Sequence, residues 1–174
     1  MTNLENRAKI FATRAHEGQL RKYTQQPYIM HPADVANIVR SVPHTVEMLC
    51  AAWLHDVVED GKAPLIDIRD NFGSVVMILV ESLTDLSTPA DGNRQARKAI
   101  DRDHIARASA DAQTVKLADL ISNTESIVRY DPDFARVYLR EKNLLLDVLT
   151  KGDRTLWQQA RKLCDDGLRT LDVH

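Results

Sequence analysis

Met48-Leu49-Cys50-Ala51-Ala52-Trp53-Leu54-His55-Asp56-Val57-Val58-Glu59-Asp60 is the stretch on which the fold turns. Seven apolar residues run without a break and then give way to four ionisable groups, three of them acidic, between positions 55 and 60. On a helix His55 and Glu59 stand four apart, as do Asp56 and Asp60, while Asp56 and Glu59 stand three apart, so all four side chains can crowd one side of a turn. A helix that is apolar all round belongs in a core. Three carboxylates at its C-terminal end repel one another, lose hydration and face the negative end of the helix dipole. A divalent cation compensates them directly. A solvated helix end with an ordinary, satisfied imidazole is the alternative, and the dipeptide His55-Asp56 by itself does not choose between them.

Helix signals continue on both sides of this stretch. Thr2 and Glu5 have the spacing of a capping box, and Leu4, Ala8, Phe11 and Ala15 follow at helical intervals up to Gly18. A polar loop, Arg21 to Gln26, precedes a second helix expected near Pro32, and Pro43 opens the third, which carries the apolar run. A short helix ending near Phe72-Gly73 and an apolar one through Val80 to Leu83 come next. Thr88-Pro89-Ala90-Asp91-Gly92 reads as a loop. Beyond it, helices are expected at about 93–108, 112–129, 132–150 and 153–171. No segment alternates with period two, so no sheet of consequence is expected. The reading is all-α, a single domain over 1–174 built as a helical bundle of about eight to ten helices.

Composition bounds the function. With 174 residues, 44% hydrophobic and 28% charged, the chain has the make-up of a globular domain. A net charge of −2 provides no global basic field for nucleic acid or an anionic membrane, so an anionic substrate needs a local basic patch. The longest apolar runs fall far short of the roughly 20 residues of a membrane span. The start, Met1 to Arg7, has no apolar signal core, which points to the cytoplasm. Two cysteines, Cys50 and Cys164, are too few for a disulfide scaffold, and Cys50 reads as a small buried hydrophobe.

Further ligands must come from elsewhere. His31 sits in Pro27-Tyr28-Ile29-Met30-His31-Pro32, where alone it is a loop or capping histidine. Asp119 belongs to a polar stripe, Lys116, Asp119, Asn123 and Ser126, which is either a solvated face or one wall of a cleft. In chain order, His31, His55-Asp56 and Asp119 resemble the H…HD…D metal set of the HD phosphohydrolases. The likeness is closer still to the hydrolase domain of the RelA/SpoT homologues. It rests on Ala15 to Lys22, Pro27 to Pro32, His55 to Asp60, Phe72-Gly73, and Lys116-Leu117-Ala118-Asp119 with Asn123. It covers about residues 4–150. What remains is too short for a synthetase domain, so the chain looks like a stand-alone small alarmone hydrolase, similar to the metazoan SpoT homologue.

That resemblance implies one Mn²⁺ per chain held by His31, His55, Asp56 and Asp119, with Glu59 and Asp60 as a catalytic acidic pair. Arg21 and Lys22 would meet the guanine base and phosphates, with Asn123 and Lys116 near the substrate. The implied reaction removes the 3′-pyrophosphate of ppGpp or pppGpp. The donor set alone suits Mn²⁺, Fe²⁺, Co²⁺, Ni²⁺ or Zn²⁺. Arg94, Arg97 and Lys98 are looser candidates for neutralising charge, and His16 is expected to orient the Arg21 loop. His44, His104 and His174 have no partner at ligand spacing. The expected partner is a small-molecule nucleotide, with no nucleic acid and no membrane; nothing indicates a homo-oligomer. Two positions depart from the common pattern: Leu120, where many members carry a basic residue, and Glu125, where many carry Arg. They keep open another HD nucleotide phosphohydrolase, such as an NADPH phosphatase or a nucleotidase. A catalytically silent nucleotide-binding module is the reading from a different class.

Overall fold

The computed structural model describes residues 3–172, and within them nine α-helices are connected by short loops, with no strand beyond an isolated bridge pairing Leu20 with Pro27. The expected all-α architecture is what forms. The chain divides at Thr84/Asp85 into two compact units. Thr2 of the expected capping box, like His174, lies outside the described residues.

In the first unit the helices are α1 (Asn3–Ala15), α2 (Met30–Arg40), α3 (Val46–Glu59), α4 (Leu65–Phe72) and α5 (Ser74–Leu83). Helix α3 is the centre, packed against α1, α2 and α5. It has no solvent face to speak of: every residue from Met48 to His55 is buried, as is Val57. The helix starts later than the Pro43 expected from the sequence, because Thr45 caps it, its Oγ1 accepting the Met48 N–H at 3.2 Å. It also runs one turn past His55. Glu5 is buried in α1 and accepts from the Arg40 guanidinium and from Trp53 Nε1, fastening α1 to α2 and α3.

In the second unit the helices are α6 (Arg94–Arg107), α7 (Ala110–Tyr130), α8 (Pro132–Leu146) and α9 (Arg154–Asp172). Helix α7 packs on α8 and α9, and α6 lies along α7. The expected loop at Thr88–Gly92 contains a 3₁₀ turn, Pro89–Asp91, whose Asp91 carboxylate accepts from the Thr88 backbone and hydroxyl. Helix α8 stops at Leu146 rather than near 150. The apolar period continues through Leu149, which is fully buried, but from the loop. That loop is tied down by buried Gln113 of α7, whose Oε1 accepts from Lys151 N at 2.9 Å while its Nε2 donates to the Ile105 carbonyl at 3.1 Å. Among the described residues no helix is long and apolar enough to cross a membrane.

Candidate metal centre and its surroundings

Helix α2 lies against α3, and this brings His31, in the first turn of α2, over the C-terminal end of α3. His31 and His55 are 2% and 3% exposed. Their Nε2 atoms are 3.2 Å apart; His55 Nε2 is 3.1 Å and His31 Nε2 3.6 Å from Asp56 Oδ2. His55 Nδ1–H donates to the Ala52 carbonyl at 2.8 Å, which leaves the Nε2 lone pair pointing at its neighbours. Two buried imidazole nitrogens and a carboxylate oxygen are turned toward one point. Such a set can hold a metal ion. Donors about 2.0–2.2 Å from a metal stand about 3 Å apart at right angles and about 3.4 Å apart at tetrahedral angles, and the triangle observed has those edges. The residues present therefore fit a divalent ion.

Around this triangle the support is specific. Tyr28 OH donates to Asp56 Oδ2 at 2.6 Å and its ring packs against His16 with centroids 4.7 Å apart. His16 is buried, with Nδ1–H donating to Gln19 Oε1 at 2.9 Å. The same amide then donates from Nε2 to Asp60 Oδ2 at 2.9 Å. His16 thus acts at the base of the Arg21 loop, through Gln19. Glu59 and Asp60 are both exposed at the end of α3, so the crowding of four side chains expected there resolves into a buried His55, a half-buried Asp56 and two exposed acids. Tyr28 and Gln19 escaped the sequence reading as site residues. Their only signal is position, three residues before His31 and three after His16.

The loop from Gln19 to Tyr28 is closed by Tyr28 N–H to Gln19 O at 2.9 Å and Arg21 N–H to Gln26 O at 2.8 Å. Gln25 takes a left-handed φ of 57°, and its side chain donates to the Lys22 carbonyl at 3.0 Å. Arg21 is half-buried at the mouth of this loop; Lys22 is exposed, its Nζ 4.7 Å from the centroid of the Tyr23 ring.

In the second unit, α7 gathers Lys116, Asp119 and Asn123. Asp119 is 8% exposed, so the stripe is no solvated face. Asn123 Nδ2 donates to Asp119 Oδ1 at 2.7 Å, and Lys116 Nζ is 3.1 Å from Asp119 Oδ2. Leu120 is 1% exposed and belongs to the core, whereas Glu125 is exposed. Of the looser candidates, Arg94 is engaged by Glu141 at 2.7 and 2.8 Å. Lys98 Nζ is 2.7 Å from Asp85 Oδ2 and 3.5 Å from Asp101 Oδ2. Burial works against the Asp85 charge, but Lys116 and Lys98 outweigh it and hold the carboxyl below its ordinary value. Lys142 of α8 was not singled out by sequence. Burial first, then the neighbouring Lys116, with Lys98 adding, pushes its ammonium down to about 8.

A helical core that ends in a His-Asp pair, the histidine buried and the aspartate half-buried, met by a histidine from the preceding helix, is the arrangement of an HD-type candidate metal site. The HD domain family matches residues 8–143, and the chain belongs to it. Within that family it is 36% identical over 129 residues to the guanosine-3′,5′-bis(diphosphate) 3′-pyrophosphohydrolase MESH1 of Xenopus tropicalis, covering 72% of this chain and 70% of that one. The human MESH1 gives the same identity and coverage. The bifunctional (p)ppGpp synthase/hydrolase SpoT of Escherichia coli is 36% identical over 137 residues, which is 77% of this chain but only 19% of SpoT. Among solved structures, that of a metazoan orthologue of SpoT that hydrolyses ppGpp superimposes with a TM-score of 0.84 at 27% identity, covering 97% of this chain and 98% of its own.

Proposed function

We propose that this protein hydrolyses the 3′-pyrophosphate of guanosine alarmones, taking ppGpp or pppGpp to GDP or GTP and pyrophosphate, with one Mn²⁺ per chain. The observation that carries the reading is the triangle of His31 Nε2, His55 Nε2 and Asp56 Oδ2, set in a chain whose relatives are pyrophosphohydrolases of this class. The family motif adds Asp119 as the fourth ligand. When bound, a divalent ion lowers the pKa of a water and offsets phosphate charge.

The chain's own residues do the rest. Tyr28 fixes the Asp56 carboxylate that the ion needs. The water oxygen attacks the phosphorus joined to O3′, the P–O3′ bond breaks, and O3′ takes up a proton. The proton lost by the water goes to Glu59 or Asp60; of the two, Asp60 is the one positioned by Gln19. Arg21, whose planar guanidinium both stacks on a base and grips phosphate, and Lys22 receive the nucleotide, with Asn123 and Lys116 at the substrate.

The test is turnover of ppGpp by purified protein with Mn²⁺, in parallel with NADPH and common nucleotides. GDP and pyrophosphate released, and lost on chelation, is the expected result. Metal-dependent cleavage of another substrate only would reassign the biology to the second reading, a different nucleotide phosphohydrolase, which the exposed Glu125 carboxylate favours. Metal bound with nothing turned over would leave a nucleotide-binding module.

A further inference from the structure

Lys142 is a half-buried cation without a counter-ion. Among the described residues it makes no ion pair or hydrogen bond; its Nζ lies 5.0 Å from the centroid of the Tyr138 ring, one turn earlier on α8. The charged groups facing it are Lys116 and Asp119 on α7, Lys98 on α6, and Asp85. Each of those acids already has its own lysine: Asp85 has Lys98, and Asp119 has Lys116. Asp101, the second acid beside Lys98, is further satisfied by the Leu86 and Ser87 backbone N–H groups and the Ser87 hydroxyl. Lys142 is the surplus charge. Next to Lys98 in sequence, Arg97 also lacks an ion pair among the described residues, and its Nε is buried without an acceptor there.

Holding a partly desolvated ammonium beside two others costs free energy, and a folded protein recovers that cost when an anion arrives. A lysine on a flexible stem is a point charge with three donors, suited to a phosphate oxygen rather than to a planar carboxylate. Resting on the alarmone reading above, we propose that Lys142 is a substrate-binding residue that, with Lys116 and Lys98, receives the pyrophosphate group of the nucleotide. Tyr138 holds the lysine stem in place: its ring is buried beneath the ammonium, and its hydroxyl is 3.4 Å from Thr124 Oγ1.

The experiment compares wild type with Lys142→Met and Lys142→Arg, the first keeping the stem and removing the charge. With ppGpp, Lys142→Met should raise KM by about tenfold or more, with a much smaller change in kcat, as expected for one hydrogen bond to a charged group. Lys142→Arg should recover most of that loss, and neither variant should melt below wild type. An unchanged KM in a folded Lys142→Met, or a loss that Lys142→Arg does not recover, overturns the assignment. Should Lys142→Met fail to fold, Lys142→Gln takes its place. Calorimetry with inorganic pyrophosphate on the full chain as purified separates this from the alarmone reading. Binding weakened about tenfold by Lys142→Met supports the site even if ppGpp is not the substrate. No binding to wild type, or equal binding to both, overturns it even if ppGpp is turned over.

Discussion

Asp56 and Glu59 are three residues apart on α3 yet have opposite surroundings, and their substitutions should separate accordingly. Asp56 is a corner of the ligand triangle, so Asp56→Ala should abolish both metal retention and hydrolysis; a metal-loaded, active Asp56→Ala would remove the triangle from the mechanism. Glu59 faces water at the helix end, so Glu59→Gln should keep its metal and turn over about 10²–10⁴-fold more slowly, the usual size of an acid–base contribution. Near-wild-type kcat in that variant would leave Asp60 as the base. Tyr28 makes a subtler case. Its hydroxyl orients Asp56 without ligating, and Tyr28→Phe should weaken metal affinity by about 10–100-fold, read by metal-buffer titration. An affinity unchanged within twofold would mean that packing alone positions the carboxylate. The cluster of His31, His55 and Asp56 was readable as a candidate because ligand chemistry restricts side-chain type. Tyr28, Gln19 and Lys142 were not, since any polar residue in a loop or on a helix face carries the same one-letter signal until its neighbours are known.

At the scale of elements, the helices were legible wherever an apolar period met a punctuating residue. Helix α4 ends at Phe72 before Gly73, which takes a φ of 89°, as a residue without Cβ permits. Where tertiary contacts set the boundary, sequence misplaced it. The α8 period runs on to Leu149, but the helix gives way at Leu146 because Gln113 captures the loop backbone and Gly152 presses on α7. This closeness makes a prediction. A Cβ on Gly152 would stand 2.7 Å from Leu117 Cδ1 and 3.1 Å from the Gln113 carbonyl carbon, and backbone cannot swing aside as a side-chain tip can. Gly152→Ala should therefore destabilise by about 1–3 kcal/mol in chemical denaturation. A loss below about 0.5 kcal/mol, the scatter of ordinary surface changes, would show that the loop relaxes freely. Glu5 teaches the complementary lesson: its spacing from Thr2 suggested a cap, while its burial against Trp53 and Arg40 makes it an anchor between helices, which no local pattern encodes.

For the whole molecule, the single domain read from the sequence over 1–174 makes a claim about cooperativity that the two cysteines are placed to test. Cys50 is buried on α3 in the first unit and Cys164 on α9 in the second, and neither is oxidised. Burial pushes the Cys50 thiol up to about 12 and the Cys164 thiol up to about 11, from an ordinary 9.0. Raised values favour the neutral thiol in the folded state, so this contribution to stability is fully present below pH 9 and is lost as pH climbs through the folded values. The thiolate is the reactive form, so at pH 8 an alkylating reagent should label neither residue while the protein is folded. Added denaturant should then expose them. The HD family match runs from residue 8 to 143, through the junction at Thr84/Asp85, and a domain inherited as one piece is expected to unfold as one. Labelling of Cys50 and Cys164, followed separately by peptide mass spectrometry across a urea series, should rise with a common midpoint. Two midpoints would mean that the α3 core and the α9 core melt independently, and the single-domain reading would fall although every helix stayed where it is. Labelling of Cys164 without denaturant would point instead to local opening of α9, distinguished by a rate that does not follow the unfolding of Cys50.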